Sequence, residues 1–157
     1  PPNRWAIPWR GAPRDPRVGL AALRAKGWPI DSVGGLTLGA DPIAYAIAHA
    51  SALAAERGDG AMVRAFTVRK EAKQHGTGKL IEGPFESGDR VVVVEDVITT
   101  GGSALKAIEA IRAAGGNIVG VLALVDRQEG GREAIEATGL EVMSLVTAAD
   151  LLPLIPA

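Results

Sequence analysis

The sequence predicts an α/β fold, an open and mostly parallel sheet flanked by helices. Three observations point there. Strand-like and helix-like segments alternate through short glycine-bearing links over most of the chain. Val91–Val94 is a run of four β-branched residues, the mark of a strand covered on both faces in a parallel sheet. Two helix starts read Asp-Pro, at 15-16 and 41-42, a cap followed by proline in the first turn.

In order, Asp15-Pro16 opens a short helix whose apolar face is Val18, Leu20, Ala22 and Leu23, and Gly27 stops it. Ile30–Val33 reads as a brief strand meeting a tight turn at Gly34-Gly35. After Asp41-Pro42, residues Ile43, Ala46, Ile47, Ala50, Leu53 and Ala54 follow the helical period to a stop near Gly58. Met62–Val68 alternates as a strand does. Residues 69–83 mix charges with glycines and lack a period, so they form a polar loop of functional length. Pro84–Asp89 is a turn. Beyond Val91–Val94 comes a helix over Ser103–Ala114, with Leu105, Ile108 and Ile111 inward, closed by Gly115-Gly116. Ile118–Val125 is the next buried strand, Arg132–Thr138 a short helix, Glu141–Val146 a strand, and Thr147–Leu152 a last helical turn. Nothing repeats internally, and 157 residues are expected to make one domain.

Composition narrows the function classes. Lys and Arg number 17 against 18 Asp and Glu, for a net charge of −1, which argues against nucleic acid or an anionic membrane as partner. The absence of cysteine removes disulfides, thiolate zinc sites and thiol nucleophiles, and fits a cytoplasmic location. Two histidines, His49 and His75, are too few for a multi-histidine metal site. No apolar stretch approaches the ~18–20 residues of a membrane span, and the opening Pro-Pro-Asn-Arg-Trp does not read as a signal peptide.

The segment from Glu95 to Ser103 carries the chemistry. A buried strand ends in Glu95-Asp96, continues through Val97-Ile98, and turns at Thr99-Thr100-Gly101-Gly102-Ser103 into a helix. Such a turn offers backbone N–H groups, three hydroxyls and the positive end of a helix, which together hold a phosphate dianion. Glycines 101 and 102 let the backbone close around the anion. The two acids repel a phosphate, and more plausibly accept hydrogen bonds from sugar hydroxyls or hold the water shell of Mg²⁺. A 5-phosphorylated ribose suits both halves. The plainer alternative is a helix start capped by Ser or Thr.

This segment resembles the phosphoribosyl-diphosphate signature of the type I phosphoribosyltransferases. A second stretch, Arg69-Lys70-Glu71-Ala72-Lys73-Gln74-His75-Gly76 followed by Ile81-Glu82-Gly83, is similar to the orotate phosphoribosyltransferase pattern. Arg69 offers a planar fork for diphosphate oxygens, and Lys70 and Lys73 add point charges. Mobile cations closing over a diphosphate leaving group stabilise the transition state more than the ground state. His75 has a side chain suited to donating a proton there. On its own this stretch is equally readable as a solvated charged loop.

A third match is Asp126-Arg127-Gln128-Glu129 at the end of the next strand, where Arg127 suits a carboxylate or else pairs with Asp126 or Glu129 at the rim. A fourth is Gly34–Pro42, which contains Leu38 and Gly39. It is alternatively a simple strand–helix connection.

The resemblance implies a Mg²⁺-dependent enzyme that joins orotate to the phosphoribosyl group of phosphoribosyl diphosphate. It implies phosphoribosyl diphosphate contacts from Leu38, Gly39, Arg69, Lys70, Lys73, His75, Glu95, Asp96 and the turn Val97–Ser103. Thr99 and Arg127 fall to orotate, and Lys73, His75 and Asp96 to catalysis. Mg²⁺ is implied to be held through substrate and waters, with Glu95 and Asp96 as candidate ligands. The family is usually a homodimer whose loop, here 70–88, acts on the neighbour's site. Residues 30–152 correspond to the core. Residues 1–29 read as a reduced form of the hood that covers the base, with neither its Phe-Phe pair nor its Lys in residues 1–10. Transfer to another base, or a non-catalytic module that senses phosphoribosyl diphosphate, are the alternatives.

Overall fold

The computed structural model describes residues 17–71 and 80–154. The elements follow as α1 (Arg17–Lys26), β1 (Ser32–Leu36), α2 (Asp41–Glu56), β2 (Arg64–Val68), β3 (Ile81–Glu82), β4 (Arg90–Ile98), α3 (Gly102–Ala113), β5 (Asn117–Asp126), α4 (Gly131–Glu136), β6 (Val142–Thr147) and α5 (Ala148–Leu151), then a 3-10 turn at Leu152–Leu154. The strands form one sheet in the order β3-β2-β1-β4-β5-β6. All neighbours are parallel except β3, which runs antiparallel to β2. No helix among the described residues is long and apolar enough to cross a membrane.

The valine run explains the layering. Successive side chains of a strand leave opposite faces. Val91 and Val93 pack with Ile108 and Ile111 of α3 and Ile135 of α4. Val92 and Val94 pack with Leu20 and Leu23 of α1 and Ile43 and Ile47 of α2. All four valines are 0% exposed, so helices cover both faces of β4.

Several expectations are corrected. Gly34 and Gly35 lie inside β1 and not in a turn, which comes at residues 37–40. A Cβ on Gly34 would stand 2.6 Å from the Phe66 ring, and one on Gly35 would stand 2.1 Å from the Val94 carbonyl oxygen. Close packing at the sheet centre, not turning, requires these glycines. Asp41 is the first residue of α2 and does not cap it; the cap position is Ala40, which makes no side-chain bond. The strand expected from Met62 begins at Arg64, and the polar loop contains β3. The strand expected to end in Glu95-Asp96 runs on to Ile98. The Asp15-Pro16 start lies outside the described residues.

Topology locates the crevice. Pairing of β1 with β4 covers only Ser32–Gly34 against Val91–Val93. On its other edge β1 stays paired with β2 to Leu36 and Val68, and β4 stays paired with β5 to Ile98 and Asp126. The carboxyl ends of β1 and β4 therefore part where the strand order reverses, the position at which open α/β sheets take ligands. The opposite end is closed: buried Asp89 accepts hydrogen bonds from Ser32 and Arg64, joining the starts of β1 and β2 to the approach to β4.

Candidate active site

The turn from β4 to α3 forms one wall of a cavity of about 270 Å³, lined by Glu95, residues 97–103 and Lys106. Gly101 sits at the cap position of α3 with φ of 82°, and no side chain caps the helix. The helix N-terminus therefore keeps its N–H groups free of a side-chain acceptor, unlike a helix start capped by Ser or Thr. The hydroxyls of Thr99, Thr100 and Ser103 are likewise unengaged by other described residues. The two glycines do different work. A Cβ on Gly101 would also approach the Gly131 carbonyl oxygen to 2.9 Å, whereas one on Gly102 would meet only Thr100 Oγ1 at 4.0 Å. The turn is braced from behind by Gly131, where a Cβ would stand 2.4 Å from the Thr99 carbonyl oxygen.

The two acids differ because adjacent strand residues face opposite ways. Glu95 is 5% exposed, and its Oε2 has no hydrogen-bond partner. Burial, followed by the neighbouring Asp96, pushes its carboxyl up to about 8. Its protonated form can both donate and accept, which suits a sugar hydroxyl. Asp96 is exposed, and its Oδ1 accepts from the Val97 N–H at 2.8 Å. The expectation of two buried acids thus holds for Glu95 alone. Val97 is exposed at the cavity wall, and Ile98 is buried in the core.

The β1–α2 loop faces Asp96 across the parted strands. Its Thr37–Leu38 peptide is cis, and the Leu38 side chain is exposed. Asp41 anchors the loop, accepting from Thr37 Oγ1 at 2.7 Å and from Thr67 Oγ1 of β2 at 3.1 Å. Thr37, Leu38, Arg69, Lys70 and Glu71 line a second cavity of about 380 Å³. Arg69 is fixed there by its N–H to the Leu80 carbonyl oxygen and by Nη1 to Glu82 Oε1 at 2.7 Å. Lys73 and His75 lie outside the described residues.

Arg127 follows β5 at the same end of the sheet, its N–H donating to the Ile98 carbonyl oxygen at 2.9 Å. Its guanidinium pairs with Glu129 at 2.7 Å, one of the two rim partners considered from sequence. Both side chains are about half exposed, 55% and 44%, so the pair is worth roughly 0–1 kcal/mol and opens readily for a competing carboxylate. The other candidate partner, Asp126, is taken by Arg132 Nε at 2.9 Å.

The phosphoribosyl transferase domain family matches residues 32–146, the span from β1 to the end of β6. The chain belongs to this family. It is 53% identical over 122 residues to an orotate phosphoribosyltransferase of Aquifex aeolicus, covering 78% of this chain and 64% of that protein. It is 52% identical over 124 residues to that of Mycobacterium tuberculosis H37Rv, covering 79% and 65%. The chain thus spans just under two thirds of the length of these curated relatives. The crystal structure of the M. tuberculosis orotate phosphoribosyltransferase in complex with 5-phospho-α-D-ribosyl 1-diphosphate superposes with a TM-score of 0.73 at 46% identity, over 87% of this chain and 74% of that one.

Within this phosphoribosyl transferase fold, those singled-out residues that are described gather at one end of the sheet. Glu95 and 97–103 share the first cavity, Leu38, Arg69 and Lys70 the second, and Gly39 with Asp96 joins them. Sequence reasoning missed Lys106 in the first cavity, Glu82 behind Arg69, and Thr37 with Thr67 behind the loop. For Lys106 a signal existed: it lies three residues after Ser103 on a helix, hence on the same face.

Proposed function

We propose that the chain transfers the phosphoribosyl group of phosphoribosyl diphosphate to orotate, giving orotidine 5′-monophosphate and diphosphate. The observation that carries this is the first cavity, with an unpartnered buried carboxyl at Glu95 beside an uncapped helix turn at 99–103. One end suits sugar hydroxyls and the other a terminal phosphate. The second cavity, with Arg69 and Lys70, suits the diphosphate, and Arg127 suits the orotate carboxylate in bidentate fashion. The names of the relatives support orotate as the base.

In this reading the C1–O bond breaks with its electrons passing to diphosphate, and a C1–N bond forms to an orotate ring nitrogen, which gives up its proton. The anomeric carbon inverts through an oxocarbenium-like state. Asp96 holds a ribose hydroxyl, while Lys73 and His75 bring charge and a proton donor to the departing diphosphate. Thr99, the first residue of the phosphate turn, would also reach the base.

The described residues contain no group of three His, Asp or Glu side chains able to cage a metal. Mg²⁺ keeps several waters and takes one or two carboxylates plus substrate oxygens. Asp96 and Glu95 are the candidate carboxylates that would hold its water shell, and the ion would offset diphosphate charge. A homodimer, with Lys73 and His75 serving the neighbouring site, completes the proposal.

Diphosphate release with orotate, with and without Mg²⁺, is the test, with uracil and hypoxanthine as competing bases. Release that needs both orotate and Mg²⁺ supports the reading. Binding of phosphoribosyl diphosphate without release would make the chain a sensing module, and preference for another base would reassign Arg127.

A further inference from the structure

Lys106 belongs to the first cavity, yet neither a phosphate-turn motif nor the acid pair accounts for it. Its cavity partners at the turn are neutral donors, and the other charged side chain lining that cavity is the acidic Glu95. A phosphate dianion there meets N–H groups, hydroxyls and a helix end, but no full positive charge from 97–103. Lys106 is exposed and has no ion-pair or hydrogen-bond partner among the described residues. Side chains on a helix lean toward its N-terminus, so a lysine one turn into α3 covers the surface over Gly102 and Ser103.

Resting on the phosphoribosyl reading above, we infer that Lys106 is a further substrate-binding residue, the cation that grips the terminal phosphate of the sugar across the mouth of the cradle. The cavity is then polarised, with Glu95 toward the ring hydroxyls and Lys106 toward the anion, which selects phosphorylated over free pentoses. A long flexible side chain does this without obstructing the turn. Its charge acts on ground state and transition state alike, because the terminal phosphate does not change during transfer.

The test measures Kd of the full chain for ribose 5-phosphate and for inorganic diphosphate, at low and high salt. Lys106→Gln should weaken ribose 5-phosphate by about tenfold, in line with loss of one charge-assisted hydrogen bond. It should flatten the salt dependence and leave diphosphate binding at the Arg69 side unchanged. Lys106→Arg should restore most of the loss. In turnover, Lys106→Gln should raise KM for phosphoribosyl diphosphate with little change in kcat. Unchanged ribose 5-phosphate affinity, or an equal loss for both ligands, overturns the assignment of Lys106. Failure of the unsubstituted protein to bind ribose 5-phosphate overturns the cradle itself, and is read independently of the variant.

Discussion

Gly39 and Asp96 meet face to face across the parted strands: a Cβ on Gly39 would stand 2.7 Å from Asp96 Oδ2 and 2.8 Å from its Cγ. The loop after β1 can approach the acid of β4 because nothing projects from residue 39. Gly39→Ala is therefore expected to push the Asp96 carboxylate aside. Asp96 is exposed and can turn, so stability should change by no more than ~1 kcal/mol. Affinity for phosphoribosyl diphosphate should fall about tenfold or more, since displacements near 1 Å are costly at reacting centres. A melting curve and a titration check both; retained affinity would refute a shared site.

Glu95 should make stability depend on pH. The unfolded carboxyl loses its proton near 4.5, while the folded one holds it to about 8. Between those values the folded state binds more protons, so stability falls as pH rises through the window. Glu95→Gln removes the titration. It should leave stability close to that of the parent at pH 5 and exceed it by roughly 2 kcal/mol at pH 8, while weakening ribose binding. Urea midpoints at the two pH values decide it, and parallel pH profiles would count against a buried, proton-holding Glu95.

The arm that bears Arg127 is stapled from behind. Asp126, 2% exposed, accepts from the Gln128 N–H at 2.8 Å and from Arg132 Nε at 2.9 Å, while Arg132 also donates to the Val142 carbonyl oxygen and Ser144 Oγ. Arg132→Ala strands a buried carboxylate and should cost about 3 kcal/mol. Asp126→Asn combined with it should lose less than the sum of the two. The KM for orotate should rise more than that for phosphoribosyl diphosphate. An equal rise in both would deny the arm a role in base recognition.

Lys73→Ala should lower kcat far more than it weakens phosphoribosyl diphosphate binding, because a cation arriving over the leaving group acts on charge that develops late. Steady-state kinetics beside direct binding separate the two. Matching losses would speak against a transition-state role.

How much was legible from sequence varies with the range of the forces involved. The Val91–Val94 strand and the helices on either side follow from local periodicity, and they emerged close to where the pattern places them. The Gly34-Gly35 pair misled because its cause is Phe66 and Val94, contacts distant in sequence. Strand β3 was hidden for the same reason: Ile81 and Glu82 pair with Val68 and Thr67, more than ten residues away in the chain, and two residues carry no period of their own. The turn at 99–103 was readable as a turn into a helix because its residues are contiguous in the chain. The division of labour between Glu95 and Asp96 was not drawn, although the alternation of a strand implies it once β4 is known to extend past them. Arg132 and Glu82, which act through other residues, leave no motif.

The short ladder between β1 and β4 has a mechanical consequence. Only Ser32–Gly34 pair with Val91–Val93, so one margin of the opening carries Leu38 and Arg69 and the other the turn at 99–103 and Arg127, while both hydrophobic clusters run on across the joint. A molecule that reaches both margins is expected to bridge two parts of the sheet that share no ladder hydrogen bonds at that end.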